Sequence, residues 1–326
     1  MINGNSFLNE NQPPAGPEQK PLLALIAGPT ASGKSDLAVK LAQRSIAQGR
    51  DAVVINADSA QVYADLRVLS ARPSDEEMQG VPHLLFGAWD GATACSAVDW
   101  ASAAKREIAR AHALDALPIL VGGTGLYIRT LLDGIAPVPE IAPEVREEVR
   151  ALPVAQAYAA LQAEDPERAS RLAPADAQRI TRALEVVRST GLPLTHWQQQ
   201  RSGGIAGDVA IVPVILLPER QWLYQRCDLR FQLMWQGGAL DEVRELLARG
   251  LPDSLPVMRA IGVPEIAAFL RGEMPQAEAV AAGQQATRNY AKRQYTWLRH
   301  QNPGDWLRIE YENSIDSAHI ASLLRI

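Results

Sequence analysis

Residues 28 to 35 read Gly28-Pro29-Thr30-Ala31-Ser32-Gly33-Lys34-Ser35 and fit the spacing G-x-x-x-x-G-K-[ST]. Glycines at those places let the backbone wrap an anion with its N–H groups. Lys34 adds a compact positive charge, and the Ser35 hydroxyl is suited to help hold a Mg²⁺ that bridges two phosphates. A second segment, Asp58-Ser59-Ala60-Gln61, follows an apolar run. Asp58 there fits either a general base beside the anion or the cap of a following helix. Gly122-Gly123-Thr124 ends a third apolar run, where the glycines admit a close neighbour and Thr124 offers a hydroxyl. Arg226 and Arg230 stand four apart on one helix face. They suit a diphosphate clamp, or equally surface pairing with Glu219 or Asp228. The chemistry these groups have in common is the handling of a polyphosphate.

The elements that must position them follow from hydrophobic pattern. Leu22 to Ala27 reads as a buried strand, and Asp36 to Ala42 as a helix whose N-terminus points at the anion. Asp51 to Asp58 and Leu117 to Val121 read as two further strands, with a helix from Ser96 to Ala113 between them. Ligands in open α/β folds sit outside the carboxyl ends of the strands, which brings Asp58 next to the phosphate loop. From Pro137 to about Ser202 only helices are expected, one starting at Pro143 and one running from Ala175 to Thr190. Gln178, Arg179 and Arg182 share one side of the latter, a pattern that usually marks a solvated face. Gly203, Gly204 and Gly207 lead back to a strand from Val209 to Leu217, and the chain turns helical again at Glu219. The expected architecture is α/β: a P-loop NTPase-like parallel sheet flanked by helices, with an all-helical insertion domain. The expected divisions are a disordered tail over 1–20, a core over 21–134 plus 203–326 that ends in helices, and the insertion over 135–202.

Composition narrows the class. At 47% hydrophobic and 21% charged, the 326 residues are those of an ordinary soluble globular protein. No apolar run approaches the ~20 residues of a membrane span, so no membrane partner is expected. Two cysteines, Cys95 and Cys227, form neither a metal pattern nor a disulfide framework. A cytoplasmic monomer is the expectation. The net charge of −5 excludes a surface coated in positive charge, so a nucleic-acid partner needs a local patch. Thr287 to His300 offers one: it contains no acid and interleaves Arg288, Lys292, Arg293 and Arg299 with Tyr290, Tyr295 and Trp297. Such interleaving suits single-stranded nucleic acid, although Trp297 and Leu298 fit the core of a basic helix equally well.

Three activities are open to such a chain. One is a small-molecule kinase using ATP with Asp58 as base. A second is a group transferase whose donor is a diphosphate ester. A nucleic-acid motor fits less well, because the third strand ends in Gly-Gly where an acid pair is needed. The helical insertion and basic C-terminal segment exceed a kinase lid and lean toward a macromolecular acceptor.

Five motifs occur in order: Gly28 to Ser35, Asp58 to Tyr63, Val121 to Tyr127, Asp176 to Glu185 and Ala291 to Arg299. As a set, covering about Leu22 to Trp306, they resemble the bacterial tRNA dimethylallyltransferase (tRNA isopentenyltransferase) family. The resemblance implies transfer of a dimethylallyl group from its diphosphate to the exocyclic amine of the adenosine just 3′ of the anticodon, with Mg²⁺. It implies that Gly28, Pro29, Thr30, Ala31, Ser32, Gly33, Lys34 and Ser35 hold the diphosphate, with Ser35 also on the metal. Asp58 is implied as the base, Thr124 as a hydrogen-bonding group at the reacting centre, and Arg226 as the residue that neutralises diphosphate. Asp58, Ser59, Ala60, Gln61, Thr124, Arg146, Gln178, Arg179, Ile180, Thr181, Arg182, Arg288, Lys292 and Arg293 are implied as tRNA contacts. The chain departs from the family pattern at Leu69, Cys95, Val263 and Pro264.

Overall fold

The computed structural model describes residues 20–311. The expected tail therefore lies outside the described residues, apart from Lys20, as does the end of the expected core over 312–326. In chain order the first half runs β1 (Leu22–Ala27), α1 (Lys34–Ala47), β2 (Ala52–Asn56), α2 (Asp75–Met78), β3 (His83–Leu84), α3 (Ala97–Ala113), β4 (Leu117–Gly122), α4 (Gly125–Asp133) and β5 (Gly134–Ile135). Four helices follow: α5 (Pro143–Ala151), α6 (Val154–Glu164), α7 (Pro166–Ala169) and α8 (Ala177–Thr190). Then come α9 (Leu194–Gln198), β6 (Ser202–Gly203), β7 (Ala210–Pro218), α10 (Arg220–Met234), α11 (Leu240–Ala248), α12 (Val263–Leu270), α13 (Gln276–His300) and β8 (Leu307–Tyr311). Among the described residues no helix is long and apolar enough to cross a membrane.

Six strands form one parallel sheet in the order β3-β2-β4-β1-β7-β8. Successive side chains of a strand point to opposite faces, and a parallel sheet is apolar on both. Ala24 and Ile26 of β1 accordingly pack with Leu37, Ala38 and Leu41 of α1, while Leu23 and Leu25 pack with the α3, α4, α10 and α13 side. Register pairs Ala27 of β1 with Gly122 of β4, and Asn56 of β2 with Val121. Three strands thus end level, and the loops beginning at Gly28, Ala57 and Gly123 open at one edge. Trp100 locks this edge from beneath: its indole N–H donates to Asn56 O at 2.8 Å and its ring stacks on Tyr127 at 4.5 Å.

Residues 141–197 bury their own apolar side chains, including Val149, Leu161, Ile180 and Leu184 in one cluster and Ile141, Val186 and Leu194 in another. Where the chain leaves and rejoins the sheet layer, β5 and β6 form an antiparallel ribbon that pairs Gly134 with Gly203. Gly134 is required there, since it holds φ 82° and a Cβ on it would lie 2.0 Å from Ser202 O. The return passage was expected as a bare glycine linker.

One end of the sheet differs from expectation. The chain was expected to finish in helices, yet β8 adds a sixth strand beside β7, pairing Ile215 with Arg308 and Pro218 with Tyr311.

Candidate active site

The phosphate loop is wound by left-handed backbone at Ala31 (φ 64°) and Gly33 (φ 79°), after which α1 begins. The unpaired N–H groups of that helix start, together with the loop amides, make an anion site. Lys34 is buried, its Nζ 3.4 Å from Pro29 O. Burial pushes the ammonium down from 10.5 to about 8; nearby Arg230 lowers it further, while Asp58 opposes both. Two arginines of α10 reach across the loop: Arg226 Nε donates to Ala31 O and Arg230 to Thr30 Oγ1, each at 3.1 Å. Surface pairing is excluded for both. Asp228 is taken by Arg288, and the Glu219 carboxylate caps α10 by accepting the N–H groups of Gln221 and Trp222.

Asp58 lies two residues past the end of β2 and is buried. It caps no helix. Its Oδ1 accepts the Ala60 N–H at 3.0 Å within a tight turn, which leaves Oδ2 for other work. Asn56 holds the turn from below: its Oδ1 accepts the Asp58 N–H, and its Nδ2 donates to Asp58 O. Thr124 ties two loops together, its Oγ1 accepting the Ser59 N–H at 2.9 Å and donating to Ser59 Oγ at 3.2 Å. The glycines before it do admit close neighbours. A Cβ on Gly122 would lie 2.2 Å from the Ala57 backbone, and one on Gly123 would lie 2.3 Å from Gln294 Nε2. Gln61 Nε2 donates to Ser70 O and Ala71 O, fixing the next stretch of wall.

Two cavities meet at these groups. One of about 310 Å³ is lined by Thr30, Asp58, Tyr290 and Arg230 on its polar side and by Leu69 and Phe231 among its apolar residues. The other, about 410 Å³, holds Gly33, Lys34, Ser35 and Arg226, and Arg230 again forms part of its wall. Loop residues, Lys34, Arg226 and Arg230 thus line one chamber, together with Asp36 and Glu77. The other has one carboxylate, Asp58, amid largely apolar surface, with Arg230, Arg259 and Arg293 also in its wall.

Several supporting residues were not foreseen in these roles. Gln294 Oε1 accepts the Thr30 N–H at 2.7 Å, and Gln294 is almost fully buried. The Tyr311 hydroxyl donates to Ser32 O. Glu242 of α11 accepts the backbone N–H groups of Arg67, Val68 and Leu69, so it pins the turn that carries Leu69 into the smaller cavity. The spacing Tyr290, Gln294, Trp297 lies on one helix face and is the available signal for the first of these.

The residues implied as tRNA contacts divide. Arg146, Gln178, Arg179 and Arg182 are exposed on α5 and α8, and Thr181 is half-buried. Arg179 pairs with Asp176 at 3.3 Å and Arg182 with Glu185 at 3.7 Å. Ile180 corrects the expectation: it is fully buried against Val149 and Leu184, so its side chain packs the helical block and offers nothing to RNA. On α13, Lys292 and Arg293 are exposed, while Arg288 is engaged by Asp228. The aromatics of that segment turn inward. Tyr295 and Leu298 are core, and Trp297 packs on Gly125, where a Cβ would lie 2.3 Å from its ring. A stacking surface for unpaired bases on the outside of α13 is therefore ruled out for Tyr295, while Trp297 is half-buried.

Comparison with known proteins finds relatives over most of the chain. The IPP transferase family model matches residues 61–301, and a Zeta toxin model matches residues 6–77, which include the phosphate loop. A tRNA dimethylallyltransferase of Novosphingobium aromaticivorans is 80% identical over 86% of this chain and 99% of its own length. One of Erythrobacter litoralis is 68% identical over 90% of this chain and 92% of its own. Among solved structures, a tRNA isopentenylpyrophosphate transferase of Bacillus halodurans superposes with TM-score 0.67 at 31% identity, covering 94% and 96% of the two chains. A eukaryotic dimethylallyltransferase described as acting on tRNA gives TM-score 0.75 at 26% identity, covering 89% of this chain and 74% of that one. The chain belongs to the tRNA dimethylallyltransferase (IPP transferase) family.

Proposed function

We propose that this chain prenylates tRNA, moving the dimethylallyl group of dimethylallyl diphosphate onto the exocyclic amine of the adenosine 3′ of the anticodon. The observation that carries the reading is the pair of cavities sharing Arg230, with an anion chamber on one side and a carboxylate in an apolar chamber on the other. The diphosphate fits the first, held by the loop amides, Lys34, Arg226 and Arg230. The five-carbon chain then extends toward the second, where Asp58 stands. The amine nitrogen attacks the allylic carbon, the carbon–oxygen bond breaks, and diphosphate leaves with the bonding electron pair. Asp58 takes the proton. An exocyclic amine conjugated with its ring is a poor nucleophile, so removal of that proton lowers the barrier. Positive groups fixed around the leaving diphosphate stabilise the charge that develops on it.

Among the described residues no cluster of three or more His, Cys, Asp or Glu could cage a metal. The Ser35 hydroxyl would hold a Mg²⁺ beside the diphosphate. Bound there, it would neutralise phosphate charge. The helices of 135–202 are proposed as a separate RNA-gripping domain. Exposed Arg146, Arg179 and Arg182 would meet phosphates on one side of a cleft, with Lys292 and Arg293 on the other. The base must leave its stack to reach Asp58, which is least costly in a loop.

Incubation with deuterated dimethylallyl diphosphate, Mg²⁺ and an anticodon stem-loop, followed by nucleoside mass spectrometry, tests the reading. A labelled prenyl-adenosine at that one position is expected. Phosphorylated product with ATP, and none with the prenyl donor, would favour the kinase.

A further inference from the structure

The chamber around Asp58 holds a second polar group that the transfer step does not require. Tyr290 projects from α13 four residues before Gln294, on the same helix face. Because Gln294 is hydrogen-bonded to Thr30 at 2.7 Å, the distance between that face and the phosphate loop is fixed. The Tyr290 phenol lines the cavity together with Asp58 and Ser59. Its oxygen faces the Thr124 and Ser59 hydroxyls and lies close enough to feel the Asp58 charge. Burial and that charge push the phenol well above its ordinary range, so it remains protonated and acts as a donor. Thr124 already donates to Ser59, which orients the row of hydroxyls toward the phenol oxygen. Asp58 Oδ1 is occupied by Ala60, and Oδ2 is left as an acceptor. Asp58 and Tyr290 thus give the wall of this chamber both an acceptor and a donor for an incoming base.

We propose that Tyr290 is a specificity-determining residue that donates a hydrogen bond to a ring nitrogen of the acceptor base, beside the contact of Asp58 with its amine. The proposal rests on the transfer reading above. Adenine offers that complement: its amine is a donor, and N1 on one side or N7 on the other is an acceptor. Guanine shows an oxygen where the amine should be, which sets acceptor against the Asp58 carboxylate; where the phenol meets N1, guanine's N1 proton opposes it as well, whereas N7 is an acceptor in both bases. A site built on hydrogen bonds rejects the wrong partner strongly, because its own buried groups are left unpaired. Asp58 would thus exclude guanine from the chamber by chemistry, with Tyr290 adding to the exclusion where its partner is N1, independently of how the RNA outside is gripped.

Stem-loops carrying adenosine, 1-deazaadenosine or 7-deazaadenosine at the acceptor position test this, using the full chain and Tyr290→Phe in single-turnover reactions with dimethylallyl diphosphate. The wild type is expected to slow about tenfold on one deaza RNA, the size of a lost hydrogen bond. Tyr290→Phe should slow about as much on the adenosine RNA and show no further loss on that deaza RNA, with donor KM and melting temperature unchanged. If turnover by the variant is too slow to follow, fluorescence binding of the same three RNAs makes the same comparison. Equal sensitivity of both proteins to both deaza RNAs would overturn the proposal, as would wild-type behaviour of Tyr290→Phe on adenosine. No product from the wild type on the adenosine RNA would overturn the transfer reading, and the proposal with it.

Discussion

Lys34 makes donor binding a proton-coupled event. In the folded chain without ligand its ammonium is buried and titrates at about 8, against 10.5 when exposed. At about 1.4 kcal/mol per pH unit, keeping it charged at neutral pH costs the fold roughly 3 kcal/mol. The folded pKa is the lower one, so the unfolded chain binds more protons between pH 8 and 10.5, and stability rises with pH across that window. A bound diphosphate restores the charge by pairing with it. Above pH 8 binding must therefore take up a proton, and affinity should fall about tenfold per pH unit. The donor's own terminal phosphate ionises near pH 6 and contributes nothing there. Calorimetric titration of dimethylallyl diphosphate, without RNA, in two buffers of different ionisation enthalpy measures the uptake directly. Close to one proton per donor is expected well above pH 8, falling toward zero near neutrality. Lys34→Met should lose most affinity and all of the slope, while melting higher than wild type at neutral pH. A flat affinity between about pH 7 and 9.5 would refute the reasoning.

Three further outcomes follow from particular contacts. Asp58→Asn keeps the Oδ1 acceptor for Ala60 and so should fold, bind both substrates and lose ~10²–10⁴-fold in kcat. A variant within about twofold of wild type in rapid-quench assays would mean that Asp58 only shapes its turn. Gly123→Ala places a methyl 2.3 Å from Gln294 Nε2 and 2.6 Å from Gly28 O, and a backbone carbonyl cannot move aside cheaply. It should raise donor KM and lower the melting temperature, whereas unchanged values would show that the strand ends tolerate separation. Removal of Arg179 and Arg182 together should flatten the dependence of stem-loop affinity on log salt by about 0.7 per lost phosphate contact, with donor affinity unchanged. An unchanged slope would assign both side chains to their ion pairs with Asp176 and Glu185.

What was legible in the sequence was local. The strand, loop and helix around Lys34 announce themselves within some twenty residues, because burial on both sheet faces forces a continuous apolar run. The start of α3 was read at Ser96, which is its N-cap, and its partner Asp99 completes a capping box. The end of the sheet was missed although Leu307, Ile309 and Tyr311 alternate with Arg308 and Glu310, the pattern of a half-buried edge strand. Asp58 illustrates a different limit. Its place beside the phosphate loop was legible, but whether it caps a following helix depended on a turn held by a Ser59–Thr124 link spanning 65 residues. Spacing alone could not decide between clamp and surface pairing for Arg226 and Arg230 either, since their partners Ala31 and Thr30 lie about two hundred residues away. The pairing of Gln294 with Thr30 spans 264 residues and belongs to packing alone.

The central claim, that the phosphate loop serves a prenyl donor whose diphosphate leaves as the adenosine amine attacks, is tested most directly by stoichiometry. Diphosphate release and prenyl-adenosine formation would be followed in one time course with purified protein, dimethylallyl diphosphate, Mg²⁺ and an anticodon stem-loop. One diphosphate per modified adenosine is expected, with almost none released when the RNA is omitted. Steady release of diphosphate without a modified base, or consumption of ATP in its place, would contradict the claim.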